Sequence, residues 1–221
     1  MTGLDPRAAP DDGDVLGATS DTYDRIATAY AGRAELTPPQ RAHLEAFIRA
    51  LPPGARVLDV GCGPGTHAAL LGGRGLQAMA LDASAGMLEL AARHVPVVRG
   101  DLRRLPVRDR SVDGIWSCAS LLHVPRQDVP ATLSSWHGGL RPGGVLGLST
   151  ALGGHDEQGW EVVPYDSTGQ APYEDAARRW FVYHSPERLA ALLAEAGFVV
   201  RSAGTRRSHR TWWQVVAVRS G

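Results

Sequence analysis

The chain has 221 residues, no net formal charge and 43% hydrophobic residues, which suits one domain of ordinary size with a single core. All 23 basic residues are arginine and no asparagine occurs, so a Schiff-base lysine, a P-loop lysine and a catalytic asparagine are excluded. The balanced charge provides no field toward nucleic acid or an anionic membrane, no apolar run is long enough to span a bilayer, and two cysteines are too few for a disulfide scaffold.

The N-terminal residues 1–20 carry four aspartates among proline, glycine and alanine, and they lack the basic start and apolar stretch of a secretory signal. We expect a disordered leader on a cytoplasmic protein. Residues 21–31 and 39–51 follow with helical patterns, so residues 21–52 are predicted to form a helical cover ahead of the first strand. Residues 21–221 as a whole are predicted to form a single domain.

Short β-branched runs then alternate with stretches of helical periodicity. The predicted strands are 56–61, 77–81, 95–99, 112–117, 145–149, 198–202 and 213–218. The predicted helices between them are 66–74, 85–93, 129–140 and 186–196. This alternation predicts an α/β fold with a parallel sheet that is covered by helices on both faces. Because no helix separates the last two strands, we expect them to pair antiparallel through a turn at 203–210.

A long segment, residues 151–184, separates the fifth strand from the last helix. Loops of this length in compact domains are usually functional or disordered, and an aromatic content this high argues against disorder. We therefore predict a lid over the site. Its aromatic residues include Trp160, Tyr165, Tyr173, Trp180 and Tyr183.

The motif that carries the functional prediction is the strand and glycine-rich turn VLDVGCGPGT at residues 57–66. Its glycines let the backbone approach a ligand at the carboxyl end of the strand. A pyrophosphate cofactor favours the spacing G-x-G-x-x-G, whereas this turn has G-x-G-x-G. Asp59 stands two residues ahead of it, where a carboxylate repels a pyrophosphate but can hold a cationic amino-acid group.

Two further carboxylates stand at the ends of the next two strands. Asp82 lies about 20 residues beyond Gly61, the distance at which an acid hydrogen-bonds ribose hydroxyls. Asp101 follows the third strand, where it can accept a hydrogen bond from an adenine amino group or can cap a turn. The three carboxylates together predict a site for a nucleoside that carries an amino acid.

Four further stretches accompany this motif: LDAS at 81–84, GDLRRLP at 100–106, SVDGIWSCASLLHV at 111–124 and LRPGGVL at 140–146. With them the chain resembles class I S-adenosylmethionine-dependent methyltransferases. The resemblance implies a Rossmann-like, seven-stranded, mostly parallel sheet whose last strand is antiparallel. It also implies S-adenosylmethionine as the cofactor, S-adenosylhomocysteine as its product, and a first helix that closes over the cofactor. The residues assigned to the cofactor by position are Tyr23, Tyr30, Asp59, Gly61, Cys62, Gly63, Gly65, Asp82, Ala83, Met87, Asp101, Leu102, Cys118 and Ala119.

Substrate contacts are less defined by the sequence. His123, just after the fourth strand, is a candidate general base because histidine titrates near neutrality, although it can equally be structural. The aromatic residues Trp160, Tyr165, Trp180 and Tyr183 either form an aromatic wall for the acceptor or pack the lid onto the core. No HxH, HExxH or carboxylate cluster indicates a metal, so none is expected.

The favoured acceptor is a small molecule that is methylated at oxygen or nitrogen by direct in-line displacement. DNA is not expected, since the chain lacks an N/D-P-P-Y motif and a Pro-Cys pair, and no membrane partner is expected. The arginines at 201, 206, 207 and 210, with His209, are interpreted as a solvated hairpin rather than an RNA contact. The alternatives are a non-methylating or regulatory S-adenosylmethionine-binding protein, an enzyme that modifies tRNA or other RNA, and a nicotinamide-dependent oxidoreductase. Nothing in the sequence predicts an oligomeric state.

Overall fold

The computed structural model describes residues 14–32, 36–153, 157–162, 177–208 and 210–221. The helices are α1 (Val15–Ala31), α2 (Pro38–Arg49), α3 (Thr66–Gly73), α4 (Ala85–Ala91), α5 (Val129–Gly139) and α6 (Pro186–Glu195). The strands are β1 (Arg56–Val60), β2 (Gln77–Asp82), β3 (Val97–Arg99), β4 (Val112–Cys118), β5 (Leu140–Ala151), β6 (Gln158–Val162), β7 (Arg178–Val182), β8 (Phe198–Arg207) and β9 (Thr211–Arg219). None of the helices in these ranges is long and apolar enough to cross a membrane.

Seven of the strands form one sheet in the order β3-β2-β1-β4-β5-β9-β8. The pairs from β3 through β5 are parallel, whereas β9 is antiparallel to both of its neighbours, β5 and β8. The predicted sheet, mostly parallel with an antiparallel last strand, is therefore confirmed. The strand order reverses between β1 and β4, so their carboxyl ends frame the switch point at which open α/β sheets bind ligands.

Helices bury both faces of the sheet. Ile115 and Trp116, neighbours on β4, belong to clusters on opposite faces, as the two-residue period of a strand requires. Ile115 packs in a cluster with Trp136 of α5 and residues of α6, and Trp116 packs in a cluster with Phe47 of α2 and Leu71 of α3. A sheet covered in this way needs strands that are apolar on both sides, which explains the nearly continuous apolar runs in the sequence.

The first helix starts earlier than the sequence suggests. The first six residues of α1, from Val15 to Ser20, fall in the segment expected to be a disordered leader, and residues 1–13 lie outside the described part of the chain. Tertiary contact explains the difference, because Thr19 is buried and its hydroxyl accepts a hydrogen bond from the backbone N–H of Trp180 at 3.0 Å. This contact to β7 has no counterpart in the local sequence pattern.

The predicted lid also contains regular structure. The strands β6 and β7 pair antiparallel as a separate two-stranded sheet, with Trp160 opposite Trp180. Residues 154–156 and 163–176, which include Tyr165 and Tyr173, lie outside the described residues. The last hairpin is longer than expected, since pairing between β8 and β9 extends to Arg207 and Thr211 and leaves a turn of only three residues.

Candidate functional site

The turn after β1 forms one wall of a cavity of about 580 Å³. Gly61 has a φ of +69°, and a side chain there would place its Cβ 2.2 Å from the Cβ of Ser120. Gly65 has a φ of +83° at the N-terminus of α3, and a Cβ there would lie 2.8 Å from the Cα of Ala91. Only glycine meets both the dihedral and the space requirement at these positions, so the motif is explained by close packing of the turn.

Asp82, at the end of β2, closes this turn from the adjacent strand. One of its carboxylate oxygens accepts a hydrogen bond from the backbone N–H of Gly63 at 2.9 Å, and the other accepts from the backbone N–H of Ser84 at 2.9 Å. Burial raises the pKa of Asp82, although these backbone hydrogen bonds oppose the rise. Each oxygen keeps a second lone pair, so the carboxylate can still accept hydrogen bonds from a ligand in the cavity.

The first helix covers this end of the cavity. The rings of Tyr23 and Tyr30 both line it and contact each other edge to face, with their centroids 5.6 Å apart. Asp24 fixes the helix to α4: one of its oxygens accepts from the Ser84 hydroxyl at 2.5 Å and from the backbone N–H of Gly86 at 2.9 Å. The sequence analysis missed Asp24, because its partners lie 60 residues along the chain.

At the other end of the cavity, His123 is the centre of a hydrogen-bond chain. Its Nδ1 lies 2.5 Å from the carbonyl oxygen of Trp180, and its Nε2 lies 2.9 Å from the hydroxyl of Tyr23. A carbonyl oxygen can only accept, so Nδ1 carries the proton and Nε2 accepts from Tyr23. Burial lowers the pKa of His123 to about 3, and the nearby charges of Arg179 and Arg210 oppose its protonation as well.

Arg179 of β7 brings a buried positive charge to the same end. Its side chain is 2% exposed and lines the cavity. The guanidinium donates from Nη1 to the Tyr23 hydroxyl at 3.2 Å and lies 5.3 Å from the centre of the Tyr23 ring and 5.6 Å from that of Phe181. The sequence analysis missed both Arg179 and Phe181, although the alternation along β7 places them on one face.

Comparison with known proteins agrees with this architecture. A family profile described as a methyltransferase domain matches residues 57–144. The chain is 33% identical over 180 residues to the malonyl-[acyl-carrier protein] O-methyltransferase of Dechloromonas aromatica (strain RCB), a match that covers 80% of this chain and 63% of that protein. Together these matches support the class I S-adenosylmethionine-dependent methyltransferase family for this chain.

Two other matches name different substrates. The tRNA U34 carboxymethyltransferase of Methylococcus capsulatus (strain ATCC 33009 / NCIMB 11132 / Bath) is 35% identical over 154 residues, which cover 66% of this chain and 45% of that protein. The Burkholderia thailandensis 1,6-didemethyltoxoflavin-N1-methyltransferase has the same fold, with a TM-score of 0.73 at 21% identity over 99% of this chain and 95% of its own. The chain spans less than two thirds of the length of the curated relatives that it matches.

Most of the residues assigned to the cofactor lie in the cavity wall. The lining residues among them are Tyr23, Tyr30, Gly61, Cys62, Gly63, Asp82, Ala83, Met87, Leu102, Cys118 and Ala119. Burial raises the pKa of Cys118 to about 12 and that of Cys62 still further, so both side chains are neutral thiols rather than nucleophiles.

Three assigned residues lie elsewhere. Gly65 packs against α4, and Asp59 is buried beneath the turn. The Asp59 Oδ2 atom has no hydrogen-bond partner among the described residues, and burial, together with the neighbouring Asp82, raises the pKa of the Asp59 carboxyl to about 8. Asp101 is held by Arg103, whose Nη2 lies 2.7 Å from its carboxylate and whose backbone N–H donates to it at 2.8 Å. Asp101 thus caps a turn, the alternative role considered for it.

Of the two roles considered for the aromatic lid residues, the described ones take the packing arrangement rather than that of a wall. Trp160 and Trp180 pair with each other, with ring centroids 5.7 Å apart, and neither lines the cavity. Tyr183 also lies outside the lining and donates its hydroxyl to Glu161 at 2.7 Å. Trp180 points away because it alternates with Arg179 and Phe181 along β7. The aromatic residues that line this end are Tyr23, Phe181 and Trp212.

One arginine of the last hairpin, Arg210, departs from the solvated arrangement that was expected, whereas Arg201 is exposed as predicted. Arg210 forms a bidentate ion pair with Glu161, at 3.0 and 2.9 Å, and only 14% of its side chain is exposed. Its guanidinium lies 4.7 Å from the centre of the Phe181 ring. The hairpin therefore closes over the cavity through Arg210, while Arg206 and Arg207 are exposed at its rim.

Proposed function

We propose that this chain binds S-adenosylmethionine at the β1 turn and transfers its methyl group to an oxygen or nitrogen of a small molecule. One observation carries the proposal: the glycine turn and the Asp82 carboxylate meet at the sheet switch point and open into a cavity that α1 covers. The methyltransferase-domain match and the fold shared with a structure that holds S-adenosylhomocysteine support the same cofactor.

The polar groups at this end fit the parts of S-adenosylmethionine. Asp82 would accept hydrogen bonds from the ribose hydroxyls with its remaining lone pairs. Met87 and Leu102 would flank the adenine ring. The unpartnered oxygen of Asp59 would accept a hydrogen bond from the ammonium group, directly or through water, and the bound cation would lower the raised pKa of the Asp59 carboxyl. Among the described residues, Asp82 is the carboxylate that lines this cavity. It lies at the cofactor end, away from the acceptor end, where Arg179 and His123 line the wall.

The cofactor supplies a methyl group that its sulfonium charge has already activated. The protein's tasks are then to hold the acceptor in line, to exclude water and to manage any proton on the acceptor. Tyr23 would help both to hold the acceptor and to exclude water, because its ring covers the cofactor end and its hydroxyl donates a hydrogen bond to His123 at the acceptor end. His123, neutral and already hydrogen-bonded at both nitrogens, acts as a positioning residue in this proposal rather than as the base.

A second candidate acceptor is RNA, because one relative is a tRNA U34 carboxymethyltransferase and Arg206 and Arg207 are exposed at the cavity rim. We favour a small molecule or a group carried on a small protein. The cavity is buried beneath α1 and β7, and the relatives named malonyl-[acyl-carrier protein] O-methyltransferase act on such a group.

The cofactor assignment is tested by a thermal-shift titration with S-adenosylmethionine, S-adenosylhomocysteine and NAD. A ligand that binds only the native state raises the melting temperature, so we expect a shift with the two sulfur nucleosides and none with NAD. A shift with NAD alone would favour an oxidoreductase. No shift with either nucleoside would remove the basis of the proposal.

Turnover separates a methyltransferase from a regulator that only binds the cofactor. With an acceptor present, we expect S-adenosylhomocysteine to accumulate in equal amounts with methylated product. Tight binding without any S-adenosylhomocysteine from a broad acceptor panel, including tRNA, would favour the regulatory alternative.

A further inference from the structure

We propose that α1 transmits cofactor binding to the acceptor end of the cavity, and that Asp24 is the positioning residue on which this coupling depends. The inference rests on the proposed function, because the ligand that would act beneath α1 is the cofactor assigned to the β1 turn. It follows from two sets of contacts along α1, one that holds the helix to α4 and one that holds the strand β7.

The backbone of Trp180, in the middle of β7, is held by side chains from two other elements. Its N–H donates to the Thr19 hydroxyl of α1 at 3.0 Å, and its carbonyl oxygen accepts from Nδ1 of His123 at 2.5 Å. The strands β6 and β7 form a sheet of their own, apart from the seven-stranded sheet. These two hydrogen bonds therefore help to fix where β7 lies against the cavity.

Tyr23 adds a further contact between α1 and the acceptor end. Its hydroxyl donates to Nε2 of His123 at 2.9 Å and accepts from Nη1 of Arg179 at 3.2 Å. Tyr23 lies one helical turn beyond Thr19, so both side chains leave the same face of α1. A displacement of α1 by about 1 Å would disrupt hydrogen bonds of this length, because they weaken steeply outside their usual range.

Asp24 holds the same helix to the cofactor end. Its Oδ1 atom accepts from the Ser84 hydroxyl at 2.5 Å and from the N–H of Gly86 at 2.9 Å, at the start of α4. The N–H of Ser84 in turn donates to Asp82, the carboxylate proposed to bind the ribose. Asp24 itself does not line the cavity, and it lies about 7.5 Å from Thr19 along the helix axis.

The packing between α1 and α4 is close at this point. A Cβ on Gly86 would lie 3.1 Å from the carbonyl oxygen of Asp24 and 3.3 Å from the Cβ of Ala27. Closely packed elements of this kind transmit a displacement instead of absorbing it. The helical segment from Asp24 to Thr19 would therefore convey a change in the position of α1 on α4 to the strand β7.

A bound cofactor would act on this helix from the cavity side. Tyr23 and Tyr30 line the cavity together with Asp82, so the cofactor would add contacts to α1 that the free protein lacks. A ligand that favours the seated position of α1 favours the ordered position of β7 as well, and the coupling is reciprocal. We therefore expect the acceptor end to be complete only after the cofactor has bound.

The test measures the hydrogen-exchange rate of the Trp180 amide by NMR, on protein labelled with ¹⁵N-tryptophan. Trp180→Phe assigns the resonance. This amide is bound to Thr19, so its exchange requires the contact between α1 and β7 to open. We expect saturating S-adenosylhomocysteine to slow its exchange on the order of 10-fold in the wild type.

Variants then connect this protection to Asp24. In Asp24→Ala, saturating S-adenosylhomocysteine should slow the exchange of the Trp180 amide by less than about threefold, because the helix is no longer fixed to α4. Asp24→Asn should behave as the wild type, since both hydrogen bonds end on Oδ1 and an amide oxygen can accept them.

Asp21→Ala is the matched control, because Asp21 is an exposed residue of the same helix that does not line the cavity. It should leave the protection of the Trp180 amide within about twofold of the wild type. Full protection in Asp24→Ala, or an equal loss in Asp21→Ala, would overturn the proposal.

Calorimetric binding of S-adenosylhomocysteine separates the two levels of the account. If the wild type does not bind it, the proposed function fails. If the wild type binds it and the exchange of the Trp180 amide is unchanged, only the coupling fails. Should Asp24→Ala not fold, Gly86→Ala displaces α1 from the α4 side, while alanine itself favours the helix. The same loss of protection is expected there, and full protection would contradict the coupling.

Discussion

The cofactor end of the cavity is built mainly from turns and the Asp82 carboxylate of one continuous stretch, residues 56–102, under the cover of α1. The acceptor end is built from side chains of distant segments: α1, His123, β7 and the hairpin of β8 and β9. The first end is held by contacts between nearby parts of the chain, such as the hydrogen bond from Gly63, in the turn after β1, to Asp82, at the end of β2. The second depends on pairs such as Tyr23 and Arg179, which lie 156 residues apart. Local spacing can therefore specify the cofactor, while acceptor chemistry depends on tertiary packing.

The largest effect is expected at Gly61, where the turn of the cofactor end has room only for a glycine backbone. Gly61→Ala adds a Cβ that would lie 2.2 Å from Ser120 at a φ of +69°. We expect a loss of about 2–5 kcal/mol in the free energy of unfolding, from dihedral strain together with overpacking, measured by urea denaturation. Gly54→Ala is the control, since Gly54 has a φ of +72° and open space around it. An equal loss in both variants would show that packing of the turn does not matter.

Asp82 tests whether the cofactor end binds through its carboxylate. We expect Asp82→Ala to weaken S-adenosylhomocysteine binding by about 1–3 kcal/mol, the cost of removing a partner from buried hydrogen-bonding groups. Calorimetry measures this directly. Unchanged affinity would contradict the assignment of Asp82 to the ribose.

His123 tests the acceptor end through the pH dependence of stability. Its pKa falls from 6.5 to about 3 on folding, so between these values the unfolded chain binds a proton that the folded chain does not. Neutral His123 therefore stabilises the fold fully above pH 6.5, and the free energy of unfolding decreases as the pH falls from 6.5 toward 3. We expect the free energy of unfolding to fall less steeply below pH 6 in His123→Gln, by about 1.4 kcal/mol per pH unit. Parallel curves for the two proteins would contradict the buried neutral state.

Substitution of Asp101 should have the smallest effect on cofactor affinity, and it tests whether this residue belongs to the cofactor end. Because Arg103 binds its carboxylate outside the cavity wall, Asp101→Asn should change the affinity for S-adenosylhomocysteine by less than about 0.5 kcal/mol. The same calorimetric titration used for Asp82→Ala checks this. A loss as large as that of Asp82→Ala would return Asp101 to the adenine contact that the sequence suggested.

The sequence predicts the features that depend on local turns and on the order of the strands. The glycine turn, Asp82 and the antiparallel β9 follow from spacing and from the absence of a helix before β9. The start of α1 does not, because Thr19 is ordered by contact with Trp180. The position of Arg179 in the cavity wall could not be predicted either, because it depends on how β7 packs beside α1 and on which face of β7 reaches the cavity. These residues are fixed by contacts between distant parts of the chain.

The location of the cofactor site is tested most directly by a titration of ¹⁵N-glycine-labelled protein with S-adenosylhomocysteine, followed by NMR. The account predicts that the amide resonances of Gly61 and Gly63 shift, because both line the cavity and the Gly63 N–H is bound to Asp82. The resonance of Gly143, which lies near the start of β5 and does not line the cavity, should stay in place. Binding that shifts other glycines and leaves Gly61 and Gly63 unchanged would contradict the account.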